Sequence, residues 1–365
     1  MTSREKEILS MIKQNSMISQ QEIADTLGIA RSSVAVHIAN LVKKGYIKGK
    51  GYVLGDNKYV TVIGGANVDI QGFSFEELRF KDSNPGKVKV SAGGVGRNIA
   101  ENLSRLGIQT KLISAFGDDL YGEKITIECR TAGVDIENCL VLKNSPSSSY
   151  LSILDGNGDM KVAISDMDII NELNIDFIKS KSHIIENSSA IVIDTNLSQG
   201  VIEYLLNNFR HKTFFMDTVS ITKARKVSEL IGYFHTIKPN IYETEELTGI
   251  KISGDNELRK AAEVLINKGV KRVFISLGSK GVFYKDQHIE KHVDATAIKV
   301  VNATGAGDAF MAGLLYCYIN NMDIDETIVF SMSAAEMALS HENTINPNIS
   351  AEKLLEKVRS DRNVK

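Results

Sequence analysis

The sequence predicts an α/β fold: a parallel sheet with helices on both faces, a small β-lid, and a small helix-turn-helix domain ahead of them. Three observations lead there. From Tyr59 onward, short β-branched segments alternate with amphipathic helical ones, the rhythm of a parallel sheet covered on both sides. Two regions, Gly86 to Ala92 and Ser148 to Ser165, interrupt that rhythm by being strand-rich with no helix between. Residues 1–55 differ in kind, with three short amphipathic helices followed by a Gly-rich pair of strand-like pieces.

In the first region Ile8, Leu9 and Ile12 mark one helix, Gln20 to Leu27 a second and Ser32 to Lys43 a third, with Val34, Ile38 and Leu41 at i, i+4 and i+7. Small Ala24 lets two helices approach, Gly28 takes the left-handed turn, and Val34 closes the core. Gly45-Tyr46-Ile47 and Gly49 to Val53 read as a β-wing, and the polar joint from Gly55 to Lys58 sets the boundary between domains 1–55 and 59–360. The pattern resembles the winged helix-turn-helix domains of bacterial regulators. That resemblance implies a third helix for the DNA major groove, with Arg31, Ser32, Ser33 and His37 facing outward and Lys43, Lys44, Lys48 and Lys50 flanking the wing. Residues 1–57 hold eight Lys/Arg against five Asp/Glu, a net of +3 that permits phosphate contacts. Self-association alone is the other reading of this domain.

In the larger region the clearest strands are Tyr59 to Ile63, Thr110 to Ala115, Ala190 to Asp194, Thr213 to Asp217, His235 to Lys238 and Arg272 to Leu277. The lid comprises segments at about 70–92 and 148–165, the second a hairpin turning at Asp155-Gly156-Asn157-Gly158. Lys plus Arg total 43 against 45 for Asp plus Glu, so no overall basic field exists for nucleic acid or an anionic membrane. Cys129, Cys139 and Cys317 form neither a disulfide framework nor a zinc pattern, and no apolar run approaches the ~18 residues of a membrane span, so the expected location is the cytoplasm.

The segment Asn302 to Phe310, Asn-Ala-Thr-Gly-Ala-Gly-Asp-Ala-Phe, carries the most chemistry. It follows a strand-like Ile298 to Val301 and opens a helix, so free amides at Gly305, Ala306 and Gly307 form an anion hole strengthened by the helix dipole. Asp308, in the first turn beside a bound phosphoryl group, can accept the proton of an attacking hydroxyl. Taken alone, Asp308 is equally a helix-capping residue.

With its neighbours, this segment resembles the signature of the ribokinase (PfkB) family of carbohydrate and nucleoside kinases, and the resemblance runs from about Tyr59 to about Asn348. It implies a ribokinase-like three-layer α/β/α sandwich and ATP-dependent phosphorylation with Asp308 as base. In Gly64-Gly65-Ala66-Asn67-Val68-Asp69, Asn67 and Asp69 would hold substrate hydroxyls. In Ser91 to Asn98, Gly93 and Gly94 would lie against the sugar and Asn98 would bond it; the third glycine of a dinucleotide fingerprint is absent. Lys238 to Glu243 resembles the family's N-x-x-E element, with Asn240 at the nucleotide and Glu243 holding Mg²⁺ through water, although a Pro-Asn turn with a capping Glu is the reading from the residues alone. Ser276, Gly278, Ser279 and Gly281 match the ATP loop, with Thr304 completing the nucleotide set.

Within the family, the run from Gly93 to Leu103 is most similar to pseudouridine kinases, which implies transfer to the 5′-hydroxyl of pseudouridine, with Asp166 on the lid accepting a base N–H. Inosine, adenosine or a ketohexose as acceptor, and a regulator that only senses its ligand, are the alternatives. Asn302 stands where such enzymes usually carry an Asp that helps build a K⁺ site, which puts K⁺ activation in doubt, and Val95 replaces a lysine of some ribokinases. Dimer contacts made by such lids imply a homodimer.

Overall fold

A computed structural model of the chain describes residues 1–48, 58–156 and 159–362. It contains two compact units, Met1–Lys58 and Tyr59–Lys365.

The N-terminal unit holds helices Ser3–Gln14, Gln20–Leu27 and Arg31–Lys43. Thr2 and Ser19 start the first two through reciprocal capping boxes with Glu5 and Glu22, and Gly28, at φ 63°, ends the second in the left-handed region. Ile8, Ile12, Ile23, Val34, Leu41 and Ile47 form its core, with Ala24 buried among them. Arg31, Ser32 and Ser33 are exposed as expected. His37 is instead half-buried and its Nδ1 is enclosed without a hydrogen-bond partner. It lies three residues from Val34 and four from Leu41, so helical periodicity turns its ring toward the core. Lys44 is drawn into an ion pair, its Nζ 2.8 Å from the buried Glu5 carboxylate. The wing piece from Gly49 to Val53, with Lys50, and the joint from Gly55 to Asn57 lie outside the described residues.

In the larger unit an eight-stranded sheet runs in the order Glu290–Val293, Val282–Lys285, Arg272–Ser276, Thr236–Ile237, Phe214–Asp217, Ala190–Asp194, Val60–Ile63, Thr110–Ile113. The six strands from Arg272–Ser276 to Thr110–Ile113 are parallel. Alternating side chains feed opposite layers: Val60, Val62 and Val192 join the core beneath helices Val95–Arg105, Ala306–Ile319 and Ile324–Leu339. Ile63, Ile191 and Ile193 join the core beneath Gln199–Asn208 and Asp255–Asn267. The result is the expected three-layer sandwich.

Two expectations need correction. The sheet is not parallel throughout, because Val282–Lys285 and Glu290–Val293 add an antiparallel edge. The strand anticipated at Ile298 to Val301 does not form: the N–H groups of Val301 and Asn302 both donate to the Leu339 carbonyl at a helix C-terminus, which diverts the chain from any ladder.

The lid is a four-stranded sheet in the order Gly86–Gly93, Asn67–Ser74, Ser149–Leu154, Met160–Asp166. Its hairpin closes through Asp155 N–H donating to the Asp159 carbonyl, while Asn157 and Gly158 lie outside the described residues. Among the described residues, no helix is long and apolar enough to cross a membrane.

Leu41 is wholly enclosed in the N-terminal core. Leu41→Ala is therefore expected to cost about 2–5 kcal/mol of that unit's stability, read by chemical denaturation of the full chain; a loss below about 0.5 kcal/mol would contradict the packing described.

Candidate active site

The carboxyl ends of the parallel strands gather an unusual number of charges. Asp194 and Asp217 end their strands, Lys238 follows Thr236–Ile237, and Asp308 arrives on the first turn of helix Ala306–Ile319; each is at most 8% exposed. Ligands of open α/β sheets bind in the crevice beyond those ends.

Gly305 is the N-cap of that helix, at φ 86°, and supplies no capping side chain to the amides that follow. A Cβ there would lie 2.1 Å from the Thr344 carbonyl oxygen, so a neighbouring backbone, rather than room for phosphate alone, demands glycine. Ala306 and Gly307 face a cavity, and a Cβ on Gly307 would lie 3.1 Å from Lys238 Nζ.

Asp308 does not cap its helix. Its Oδ2 accepts a 2.8 Å hydrogen bond from Asn98 Nδ2. Burial pushes its carboxyl up to about 8, with the Asp217 charge adding to the rise and the Asn98 bond and Lys238 ammonium opposing it. A base poised there takes a proton readily near neutral pH. Arg97, almost fully buried, donates from Nη1 to Asn98 Oδ1 and to the Ala92 carbonyl, each at 3.2 Å, and pairs with Glu101 and Glu128. With its oxygen held by a cation, the Asn98 amide must present nitrogen to Asp308. No role for Arg97 emerges from sequence; the available signal is a cation next to Asn98 with Glu101 four residues on.

Asn67 donates to Asp69 Oδ1 at 2.7 Å and pairs with Gly93 across the lid ladder. A Cβ on Gly93 would sit 2.3 Å from Asp69 Oδ2, and one on Gly94 would meet the Gly65 carbonyl at 2.5 Å, so the glycine pair packs against the carboxylate and the loop that carries it. Burial raises the Asp69 carboxyl, against the Asn67 bond and the Arg97 charge. Asp194, absent from the sequence-derived set, fastens both loops by accepting the amides of Gly65 and Gly96 at 2.8 Å. Thus one segment, Gly93 to Asn98, touches Asp69 at its start and Asp308 at its end. Asp166 is not brought to this cluster. It pairs with Ser149, whereas Asp69 is in register with Tyr150 and through it Ser165, so strand alternation puts Asp166 on the opposite face of the lid.

A cavity of about 840 Å³ lies against the helix start. Asn240, Ser276, Gly278, Ser279 and Gly281 line it, as does Lys238, and Ile298, Val300, Met332 and Leu339 give it an apolar wall. Thr304 is not among its lining residues; it is exposed, and its N–H donates to Asn302 Oδ1 at 2.9 Å. Asn302 Nδ2 and Lys89 Nζ both donate to the Glu342 carbonyl. Asn240 and Glu243 form a capping box, and Glu243 Oε2 also accepts the Thr218 hydroxyl at 2.6 Å. Among the described residues no group of three or more His, Cys, Asp or Glu could cage a metal. One buried carboxylate fits Mg²⁺ that keeps its waters and phosphate oxygens.

Residues 57–351 match the description pfkB family carbohydrate kinase. The chain belongs to the PfkB family. It is accordingly a kinase that acts on an alcohol acceptor. Residues 1–48 match the winged helix-turn-helix DNA-binding family. A pseudouridine kinase of Escherichia coli (strain K12) is 41% identical over 296 residues, 81% of this chain and 95% of the relative. An uncharacterized sugar kinase of the same strain is 36% identical over 356 residues, 97% of this chain and 98% of that protein. A crystal structure from Clostridium perfringens superposes with TM-score 0.75 at 42% identity, covering 84% of this chain and 97% of that one.

The folded value of Asp308 lies above that of a free carboxyl, so its contribution to the stability of this PfkB unit is complete below about pH 4 and is lost as pH rises through about 8. Asp308→Asn removes that loss. The variant's gain in thermal stability over the unaltered protein should widen as pH rises from about 5 to about 8 and stay constant above that; an offset equal at about pH 5 and about pH 9 would contradict the assignment.

Proposed function

We propose that this PfkB kinase transfers the γ-phosphoryl group of ATP to the 5′-hydroxyl of pseudouridine, giving pseudouridine 5′-phosphate and ADP. The observation that carries the chemistry is Asp308, buried and held by Asn98 in the first helical turn beside the cavity. The acceptor is supported by the 41% identity that extends over 95% of a pseudouridine kinase.

ATP occupies the 840 Å³ cavity, its base against the apolar wall and its phosphates toward Ser276, Gly278, Ser279 and the amides of Ala306 and Gly307. Asn67, Asp69, Asn98 and the Gly93-Gly94 backbone hold the ribose. Asp308 takes the hydroxyl proton as the oxygen bonds to phosphorus and the bond to the ADP oxygen breaks. Mg²⁺ beside Glu243 supplies charge neutralisation to the phosphates when bound. Asp166 has no part, since it belongs to the other face of the lid. The N-terminal unit binds duplex DNA through Arg31, Ser32 and Ser33, which are exposed at the start of the third helix.

With ATP and Mg²⁺, pseudouridine is expected to turn over best in a panel that includes inosine, adenosine and ketohexoses, and Asp308→Asn to lower kcat by about 10²- to 10⁴-fold. A better acceptor in the panel would displace pseudouridine; no turnover of any acceptor, together with ligand-dependent DNA binding, would favour the sensing regulator. Arg31→Ala should weaken DNA binding in a mobility-shift titration, and an unchanged titration would remove that helix from the interface.

A further inference from the structure

We propose that Lys238 is a further catalytic residue, its ammonium contacting the γ-phosphoryl group as it moves between nucleotide and acceptor. The inference rests on the kinase reading above and on the position of one side chain. Lys238 leaves the end of strand Thr236–Ile237 and lines the nucleotide cavity together with Asn240 and Gly307. Its Nζ stands over the first turn of the helix that carries Asp308, 3.1 Å from where a Cβ on Gly307 would project. The absence of that Cβ leaves the ammonium adjacent to the amide cluster.

Charge makes the placement specific. Among the described residues lining the cavity, only Lys238 and Glu336 are charged, and Glu336 is paired with Lys357. Lys238 is therefore the one side-chain cation that this cavity offers a polyphosphate. Its salt-bridge partner, Asp217, holds Nζ at 3.2 Å from one side. A buried ammonium with one carboxylate partner keeps N–H donors for another anion, and a lysine can follow a phosphoryl group as a point charge. Burial opposes its charged state, but Asp217, Glu243 and Asp308 together favour it and hold the ammonium above its ordinary value. Lys238 thus remains an ammonium throughout. The acceptor proton goes to Asp308, the acceptor oxygen forms the new bond to the γ-phosphorus, and the bond from that phosphorus to the bridging oxygen breaks with its electron pair kept by ADP.

A purely structural Lys238–Asp217 pair would share the burial, so the test removes both charges together. In the full chain, Lys238→Met alone leaves Asp217 buried without its cation and can fail to fold; Lys238→Met with Asp217→Asn avoids this. Calorimetric titration of the folded double variant with AMP and with a non-hydrolysable ATP analogue, both with Mg²⁺, is the deciding measurement. AMP affinity should hold while affinity for the ATP analogue falls at least about tenfold and kcat falls at least about a hundredfold. Equal losses for AMP and the analogue, or kcat closer to the unaltered protein than that, would overturn the proposal. The binding comparison needs no acceptor, so a wrong acceptor would show as absent turnover by the unaltered protein while the AMP-to-analogue contrast still judges Lys238.

Discussion

Three carboxylates and one ammonium buried beyond the carboxyl ends of the parallel strands impose the constraint that organises the larger unit. A charge removed from water is tolerated only when donors or an opposite charge surround it. Asp194 is met by backbone amides, Asp217 by the Val219 amide and Lys238, and Asp308 by Asn98. Apart from the Val219 amide, these partners come from other parts of the chain, so the site cannot form before the sheet does. The compensation at Asp308 is incomplete, and its carboxyl stays far up its range for that reason.

The same constraint explains several glycines. Cβ atoms on Gly64 and Gly96 would lie 2.4 and 3.1 Å from Asp194 Oδ2, because the first loop and the start of helix Val95–Arg105 close directly onto that carboxylate. Composition marks these positions as turns. Only the fold shows that a side chain from a strand more than ninety residues away fills the space.

Much of the architecture was legible because its signals are local. Ala190–Asp194, with three consecutive β-branched residues buried on both faces, has the bounds its sequence predicts, as does helix Gln20–Leu27 with Gly28 at its end. The failures share a physical origin in distant partners. Val300 and Val301 look like strand residues, yet the chain there is held by a helix C-terminus and the two are about half exposed, Val300 beside the cavity. Asp166, expected to accept a base N–H, lies on the other face because a strand's side is fixed by its register, here with Ser149, and not by its own sequence. Lys238 and Arg97 stood in plain view within recognised motifs, but their meaning depends on Asp217, Gly307 and Glu128.

One feature of the lid reaches beyond the acceptor side. Lys89, on lid strand Gly86–Gly93, grips the Glu342 carbonyl and Asn343 Oδ1, and the next residue, Thr344, is the one whose carbonyl abuts Gly305. A tether of two residues therefore joins the covering sheet to the helix start. Through it the lid strand and the cradle of amides share one short stretch of chain, so the two sides of the cleft are braced against each other.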